Sequence, residues 1–433
     1  MKKILILSTV TAISLFATNG ANLIGLGAES RALGGTGIAN FNGAENALSN
    51  PALLGKTKSE KEFSFGGTIF KSTVKVTTTK GNTSNPGIGT SKTSDQGTSM
   101  IPVISLLNRI NDNVVFGLGM YGTAGMGTDF RGDDVTAHQG KVSLYNMRST
   151  LMLMQFAPSL SYHQDNYGIG ASIIMQYGEL SIDYDAPKDT DADGTADTTV
   201  HVGNGPSQDF GYGYQIGGFY NINNDLTFAG VYKSAIDMEY KDQISNAAAA
   251  FGYGTPGGLA AKSDHLEQPA EIGIGLSFNS TSMTYTVDYK TIKWGEAKGY
   301  EDFGWQNQNV LALGAKYTST NYWIGLGFNK ANSPLSNNTS KKAVHHAGDS
   351  LSVQDNTDGD TMNLFNYAMF PATITKAYTF GAGYNVNKDS TISFAYMYAP
   401  EVSDTVSGTT VGVGDITTTH KQNVTTIAYK FNF

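Results

Sequence analysis

Residues 271–290, with the sequence EIGIGLSFNSTSMTYTVDYK, contain the pattern that decides the fold of this chain. Apolar residues alternate with polar residues or glycine on both sides of a short break at residues 279–282. The apolar positions are Ile272, Ile274, Leu276 and Phe278, then Met283, Tyr285, Val287 and Tyr289. Successive side chains of a β-strand point to opposite faces, so each half predicts one strand with an apolar face and a polar face.

The same unit of alternating residues and a break repeats from about residue 60 to the C terminus. Short connections rich in Asn and Asp alternate along the chain with long polar connections. The long connections are predicted near residues 80–97, 124–147, 185–208, 243–266, 296–304, 333–373 and 400–419. Six short and seven long connections predict an all-β fold, a transmembrane antiparallel β-barrel of about fourteen strands with both ends on the short-turn side.

The composition favours this barrel over a soluble β-sandwich, which is the competing fold. Charged residues make up 15% of the 433 residues, whereas soluble domains carry about 25%. The chain has no cysteine, which excludes disulfide scaffolds, cysteine-zinc sites and thiol nucleophiles. Its formal charge of -8, without a basic cluster, excludes a nucleic-acid partner. We expect no cofactor.

The N terminus has the pattern of an export signal. Lys2 and Lys3 precede an apolar stretch at residues 4–16, which fits the length of a secretory signal and is too short to span a membrane. The first domain is therefore predicted as a signal peptide of residues 1–20. No later apolar run reaches the ~18–20 residues of a transmembrane helix.

The last residues of the chain have the pattern of a second signal, one for assembly into a membrane. Ile427, Tyr429, Phe431 and Phe433 occupy alternate positions up to the end of the chain. This ending resembles the recognition signal that outer-membrane assembly machinery reads on barrel substrates, although it is also what any terminal amphipathic strand would show. We expect the assembly machinery, outer-membrane lipid and lipopolysaccharide as partners, with Phe433 as the contact for assembly.

Residues 22–57 do not alternate and are rich in glycine and other small residues. Short helical stretches are predicted near residues 44–48 and 51–54. Small side chains allow a segment to pack inside a ring of strands, and a barrel of about fourteen strands is wide enough to need a plug. The predicted second domain is a hatch of residues 21–57, followed by a barrel of residues 58–433.

The hatch sequence carries a resemblance to a known family. GAESRALGGTGIA at residues 27–39, followed by Asn50-Pro51-Ala52, resembles the N-terminal hatch of the long-chain fatty-acid and hydrocarbon transporters of Gram-negative outer membranes. Further similarities occur in the same order at residues 121–132, 268–271, 287–294, 328–334 and 370–372, so the resemblance covers essentially the whole mature chain. It implies a monomeric Gram-negative outer-membrane transporter that admits long-chain fatty acids or other hydrophobic compounds.

The resemblance also implies a route without ATP. Substrate would enter a groove among extracellular loops, reach a lumenal site near the mature N terminus, and leave sideways through a gap at a kinked third strand, here residues 114–122. The residues implied are Leu23, Ile24, Met120, Met126 and Phe130 for ligand binding, Asn50, Pro51 and Ala52 for hatch gating, and Gly117, Gly119 and Gly122 for the lateral opening. Glycine weakens strand pairing, but it is common on every lumenal face here.

Other chemistry is weighed against this interpretation. Asp189, Asp191 and Asp193, followed by Gly194, have the Asp-x-Asp-x-Asp-Gly spacing of calcium loops, and Asp197 lies three residues further on. Val200, however, stands where a bidentate Glu would close such a loop. The four residues form either a calcium site or a solvated acidic loop. A general diffusion porin and an outer-membrane lipid-active enzyme are the alternative functions. Since no Ser/His/Asp signature is present, we expect no enzyme.

Overall fold

The structure is a computed structural model that describes residues 19–79, 89–132, 143–188, 190–191, 198–254, 260–335 and 359–433. Within these residues the chain is mostly β-strand. The strands are β1 (Lys61–Thr78), β2 (Ser91–Thr93), β3 (Thr98–Arg109), β4 (Val114–Met126), β5 (Arg148–His163), β6 (Tyr167–Lys188), β7 (Thr198–Val202), β8 (Ser207–Asn221), β9 (Leu226–Lys233), β10 (Glu271–Asn279), β11 (Met283–Ile292), β12 (Gln308–Thr318), β13 (Tyr322–Ala331), β14 (Lys376–Asn387), β15 (Ser390–Gly408) and β16 (Gly414–Asn432).

Fourteen of these strands form a closed antiparallel barrel. Each pairs with its neighbours along the chain, and β16 closes the ring by pairing with β1 over almost the full length of both strands. The short strands β2 and β7 stand outside the ring, because β2 pairs with β1 alone and β7 with β6 alone. The predicted fold and its strand number are confirmed.

The alternation of short turns and long connections is also confirmed, and the largest error in their bounds lies at the end of the chain. Residues 400–419 were predicted as a long loop, but β15 continues to Gly408 and β16 begins at Gly414. A strand that extends beyond the lipid needs no apolar face, while its backbone ladder continues unchanged. The period-2 signal therefore disappears before the strand ends.

The apolar faces predicted from the sequence are the outer surface of the barrel. Ile272 and Ile274 each leave 52% of their surface exposed, whereas Ser277, on the other face of β10, is buried. Tyr285, Tyr289 and many other large apolar side chains are exposed in the same way around the ring. This surface suits lipid, because soluble proteins rarely expose large contiguous apolar patches.

Residues 19–57 cross the inside of the ring before β1 begins. Helix α1 (Gly27–Ala32) packs against β13 to β16, whereas the 3-10 helix Pro51–Lys56 packs against β4, β5, β6 and β8 on another part of the wall. A further 3-10 helix, Gly43–Ala47, lies between them and contacts β1 and β3. The two short helical stretches predicted from the sequence are thus present as 3-10 helices.

The long-loop end of the barrel carries the remaining helices. Helix α2 (Ile244–Ala249) belongs to the β9–β10 connection, and Ser143–Asn146 and Trp294–Glu296 are short 3-10 segments. Residues 359–369 form a helix whose second half, Phe365–Met369, is wound as a π-helix. Hydroxyl groups of the surrounding wall and loops donate to its final carbonyls: Thr418 to Tyr367, Thr128 to Ala368 and Ser149 to Met369. None of the helices in the described residues is long and apolar enough to span a membrane.

Candidate functional site

An apolar pocket lies among the loops at the long-loop end of the barrel. Its lining consists of Met126, Leu180, Ile182, Ile244, Leu266, Tyr300, Phe303, Trp305, Phe365, Asn366 and Phe370. The amide of Asn366, the polar residue of this set, accepts from Trp305 Nε1 at 2.9 Å and donates to the carbonyl of Phe303 at 2.8 Å. Because that amide is already paired within the protein, the pocket offers a ligand mainly apolar contact.

The residues predicted to form a loop groove are not all at this pocket. Met126 lines it. Phe130 is fully buried nearby, and its carbonyl accepts from Lys92 Nζ at 2.8 Å. Met120 is half-buried on the outward face of β4, since the inward positions of that part of the strand are Val115, Gly117, Gly119 and Tyr121. The aromatic lining from Tyr300, Phe303 and Trp305 was missed, because these residues lie in loops without a periodic pattern.

A second cavity lies deeper, between the arm, defined as residues 19–26, and the inner faces of strands on the β8–β13 side. Leu23 and Ile24, both predicted to touch ligand, line its apolar side. The part of the lining that the barrel strands supply is polar, with Lys233, Glu271 and Lys290 among its residues. This row of charges was missed by the sequence analysis, since inward polar positions occur on every strand and the sequence does not show which of them meet.

The arm is tied to the charged wall of this cavity. Lys290 Nζ lies 2.7 Å from one carboxylate oxygen of Glu271. The other oxygen accepts a hydrogen bond of 3.0 Å from Asn22 Nδ2. Asn22 Oδ1 in turn accepts from Gln268 Nε2 at 2.8 Å. A displacement of the arm therefore breaks contacts to an ion pair inside the barrel.

The barrel wall is interrupted between β3 and β4. The pairing of these strands ends at Val103 and Tyr121, although β4 continues to Met126 and remains paired with β5. The next pair in this register would join Pro102 to Gly122, and proline has no backbone N–H to donate. The β4–β5 register also shifts between Gly122 and Ala124, which marks a bulge. We refer to this interruption as the β3–β4 opening.

The arm pairs with the part of the β4 edge that β3 leaves unpaired. The N–H of Leu23 donates to the carbonyl of Thr123 at 3.0 Å, and the N–H of Gly125 donates to the carbonyl of Ala21 at 3.0 Å. Asn22 and Ala124 face each other between these two bonds. Three residues of the arm thus replace a neighbouring strand along the β3–β4 opening.

The long-loop side of the opening is closed by loop contacts. Asp95 N donates to the carbonyl of Asp129 at 2.8 Å. Asp129 is held by Arg131, whose Nη2 lies 2.7 Å from its carboxylate. Partial burial raises the pKa of the Asp129 carboxyl, but hydrogen bonds and charge from Arg131 outweigh burial and hold the pKa below its usual value. The β3–β4 opening is therefore bounded at both ends.

The three glycines predicted for a lateral opening have different surroundings. Gly117 and Gly119 lie in the paired part of β4, opposite Leu107 and Ser105. A Cβ at Gly117 would lie 2.5 Å from a methyl carbon of Leu54, so this glycine makes room for the segment inside the barrel. Gly119 makes room in the same way for the ring of Tyr121. Gly122 is the first residue beyond the β3 pairing.

The Asn50-Pro51-Ala52 turn is buried against the wall. Asn50 Oδ1 accepts from the N–H of Ala52 at 3.1 Å, so Asn50 caps the 3-10 helix that begins with Pro51. Its Nδ2 donates to the carbonyl of Ile38 at 2.7 Å. Ser161 on β5 donates to the carbonyl of Ala52 at 2.8 Å. The turn is thus bonded both to the rest of the segment and to the barrel.

The calcium prediction is not tested. Asp191 belongs to the described residues, whereas Asp189, Asp193 and Asp197 lie outside them. Within the described ranges, no group of three or more acidic or histidine side chains is arranged to hold a metal ion. A calcium site in this loop stays a prediction.

Comparison with known proteins connects this geometry to a family. The family model described as "Outer membrane protein transport protein (OMPP1/FadL/TodX)" matches residues 4–344. The chain belongs to this family. It is accordingly an outer-membrane transporter of hydrophobic compounds in Gram-negative bacteria, and it is not an enzyme.

Solved structures of similar fold share little sequence with this family member. The toluene transporter TbuX of Ralstonia pickettii is 18% identical with a TM-score of 0.64, and the match covers 95% of this chain and 99% of that one. A FadL homologue from Pseudomonas aeruginosa is 16% identical with a TM-score of 0.69, covering 96% and 100%. The toluene transporter TodX of P. putida is 18% identical with a TM-score of 0.67, covering 95% and 99%. At these identities the likeness establishes the fold.

A stronger sequence match is local. An uncharacterized protein from the 5' region of the phosphoenolpyruvate carboxykinase gene of Chlorobium limicola is 47% identical over 62 residues. The match covers 14% of this chain and 30% of that relative.

Proposed function

We propose that this transporter admits long-chain fatty acids or other hydrophobic compounds by passive diffusion, and that they leave sideways through the β3–β4 opening. The observation that carries the proposal is the pairing of residues 21–23 with Thr123 and Gly125 at that opening. Because the arm of the same chain closes this exit, movement of the arm is enough to open it. Neither a second protein nor ATP is required.

The order of the sites supports a stepwise route. The apolar pocket lined by Met126, Tyr300 and Phe303 is the first site for a molecule arriving at the long-loop end. The deeper cavity touches Leu23 in the arm, and the N–H of Leu23 is bonded to β4 at the opening. Each buried CH₂ contributes roughly 0.8 kcal/mol, so the apolar pocket, and Leu23 and Ile24 in the deeper cavity, favour molecules with a long apolar chain over small polar ones.

We infer further that residues 21–57 act as a hatch, with the turn at Asn50, Pro51 and Ala52 as its fixed point. The contacts of this segment with the barrel wall support that role, because they place the segment in the space through which a porin would pass water. A general diffusion porin is therefore the weaker alternative. Gly117 belongs to this proposal as a site where Leu54 of the hatch approaches the wall closely, and Gly119 as a site that makes room for the ring of Tyr121.

The test compares uptake by cells that carry the gene with uptake by cells in which it is deleted. A labelled long-chain fatty acid and a labelled monoaromatic hydrocarbon serve as the two substrates, with a small sugar as the polar control. The expected result is faster uptake of at least one hydrophobic substrate and unchanged uptake of the sugar. Equal rates for all three substrates in both strains would refute the proposal.

The predicted partners at assembly are proposals of the same kind. Phe433 is exposed on the outer surface at the short-turn end, where its ring stacks on Phe431 at 5.4 Å. An exposed terminal aromatic supports recognition by the assembly machinery. Contact with lipopolysaccharide and a monomeric state are also proposed, because the apolar outer face continues around the whole ring.

A further inference from the structure

The cavity behind the arm contains polar side-chain oxygens that lack a partner. Gln215, Gln268 and Asp288 each contribute one buried oxygen that forms no hydrogen bond within the described residues, and Thr123 contributes a hydroxyl in the same state. All four residues line the cavity. Buried polar groups are paired in the large majority of cases, so this set points to a ligand that supplies hydrogen-bond donors.

The orientation of Gln268 follows from its neighbours. Glu271, paired with Lys290, is an ionised carboxylate and can only accept, so Asn22 must donate to it through Nδ2. Asn22 Oδ1 is then the acceptor for Gln268 Nε2. This chain of bonds leaves the carbonyl oxygen of Gln268, and not its NH₂ group, without a partner.

Gln215 stands at the end of a row of polar residues across three strands. In the register of the barrel, Gln215 on β8 is opposite Lys233 on β9, and Lys233 is opposite Glu271 on β10. Lys233 Nζ donates to Gln155 at 2.7 Å. An ammonium group carries three N–H donors, so Lys233 retains the capacity to donate to a ligand next to Gln215.

The charges of the cavity balance. Lys233 and Lys290 face Glu271 and Asp288, and all four line the same space. Leu23 and Ile24 of the arm also line this space. The cavity therefore has apolar lining residues, no net charge from its lining side chains, and more acceptor oxygens than the described residues pair.

We propose that this cavity holds the neutral, hydroxyl-bearing head group of an amphiphile, an alcohol or polyol, whose apolar tail lies against Leu23 and Ile24. The inference rests on the proposed function, because it names the substrate class for the lumenal site of that route. A hydroxyl group can donate a hydrogen bond to the carbonyl oxygen of Gln215 or Gln268 and can accept one from Lys233. A single hydroxyl group thus pairs both with an unpartnered acceptor and with the free donor of the ammonium group.

Other head groups fit this wall less well. A bare hydrocarbon displaces any solvent from the polar wall and leaves its oxygens unpaired, which is unfavourable for each buried acceptor. A carboxylate has no donor for the oxygens of Gln215 and Gln268, and it adds a negative charge to a cavity that is already balanced by Glu271 and Asp288.

The experiment measures binding to the full-length protein in lipid nanodiscs, with protein-free nanodiscs as the blank. The probes are a labelled saturated primary alcohol, the carboxylate of equal chain length and the alkane of equal chain length. We expect the alcohol to bind about tenfold more tightly than the alkane, and more tightly than the carboxylate. Substitution Gln215→Leu should lower alcohol affinity about fivefold and leave alkane affinity unchanged.

Gln422→Leu is the matched control. Gln422 is also a buried glutamine on an inward position of a barrel strand, with an unpartnered Oε1 within the described residues, but it does not line the cavity. Gln215 is preferred to Gln268 as the test position because Gln268 also bonds the arm through Asn22. The control should retain the wild-type preference for the alcohol.

The outcomes separate this inference from the function on which it rests. Equal binding of alcohol and alkane, tightest binding of the carboxylate, or an equal loss in Gln215→Leu and Gln422→Leu would overturn the head-group assignment while leaving transport intact. Absence of binding for all three probes, together with equal uptake by cells with and without the gene, would overturn the proposed function itself.

Discussion

Asp288 on β11 accepts a hydrogen bond of 2.9 Å from the backbone N–H of Ile38, in the segment that crosses the barrel. The same carboxylate oxygen also accepts from the N–H of Gly37 at 2.7 Å. A single buried side chain of the wall thus fixes the backbone of the proposed hatch at the position where it passes the lumenal cavity. The relationship joins residues that are 250 positions apart in the chain.

Asp288→Ala should loosen this attachment. Hydrogen bonds to a charged group contribute about 1.5–3 kcal/mol, so we expect the segment near Ile38 to leave the wall more often and the barrel to conduct ions. Single-channel recording in planar bilayers measures the effect. Asp225→Ala, at an exposed turn on the short-turn side, is the control and should stay closed. Equal conductance of the two variants would contradict the assigned role of Asp288.

A disulfide between positions 22 and 124 should lock the exit. Asn22 and Ala124 form a non-hydrogen-bonded antiparallel pair, in which Cα atoms are about 4.5 Å apart, and this spacing is within reach of a disulfide. The natural chain has no cysteine to interfere. Oxidised Asn22→Cys/Ala124→Cys should take up little hydrophobic substrate in proteoliposomes, and a reductant should restore uptake.

The two single cysteine variants are the controls for this lock, and both should transport in oxidising and reducing buffer alike. Undiminished uptake by the fully oxidised double variant would show that the arm does not have to leave β4. That result would refute exit through the β3–β4 opening without affecting the assignment to the family.

Gly170→Ala should disturb the Asn50-Pro51-Ala52 turn. A Cβ at Gly170 would lie 2.5 Å from the backbone nitrogen of Ala52 and 2.5 Å from the carbonyl carbon of Pro51, and backbone atoms cannot rotate away. Overpacking of this kind destabilises by about 1–3 kcal/mol. We expect a lower urea midpoint and a raised bilayer conductance.

Gly218→Ala is the matched control for Gly170→Ala, because a Cβ there meets its nearest atom at an ordinary 3.6 Å. Both glycines lie in barrel strands, so their difference isolates contact with the turn from the general effect of alanine in a strand. If both substitutions lowered the urea midpoint equally, the turn would not be the reason for glycine at position 170.

Acidification should loosen the loop contacts at the long-loop side of the opening only at low pH. The pKa of Asp129 is held below its usual value in the folded protein, so its contribution to stability is present above about pH 4, the unfolded value. That contribution is lost as the pH falls through the lower folded pKa. The protection factors of residues 128–132, which correct the exchange rates for the intrinsic pH dependence of amide exchange, should therefore stay constant from pH 7 to about pH 4 and fall below it.

Asp129→Asn supplies the control for the pH series. Without a titratable group at position 129, the protection factors of these residues should no longer respond to acid in this range. If the wild-type loop already loosened between pH 7 and pH 5, a titratable group other than Asp129 would be responsible for the effect.

The fold could be predicted because its rules are local. Ile272 and Ile274 point to the lipid since side chains alternate along any strand, and counting turns gives the number of strands without knowledge of their contacts. The resemblance at Asn50-Pro51-Ala52 indicated the segment inside the barrel. The prediction failed where this local signal ends, as at residues 400–419, because strands outside the lipid no longer need an apolar face.

The candidate sites could be predicted only in part, since they depend on register. Leu23 lines the lumenal cavity, and its contact with a ligand stays a prediction. The meeting of Gln215, Lys233 and Glu271 in one row requires the registers of three strands, and nothing in their separate segments gives those registers. Pro102 was a usable signal for the wall interruption, because proline lacks the N–H that a central strand donates.

The sequence by itself determined that this chain is a barrel, which faces of its strands meet lipid, and which family it resembles. The tertiary structure decided where the wall is interrupted and what fills the gap. Closure of the ring sets every strand register, and the arm reaches the β4 edge only after closure, so contacts such as Asn22 with Ala124 and Asn22 with Glu271 do not exist in any local stretch of sequence.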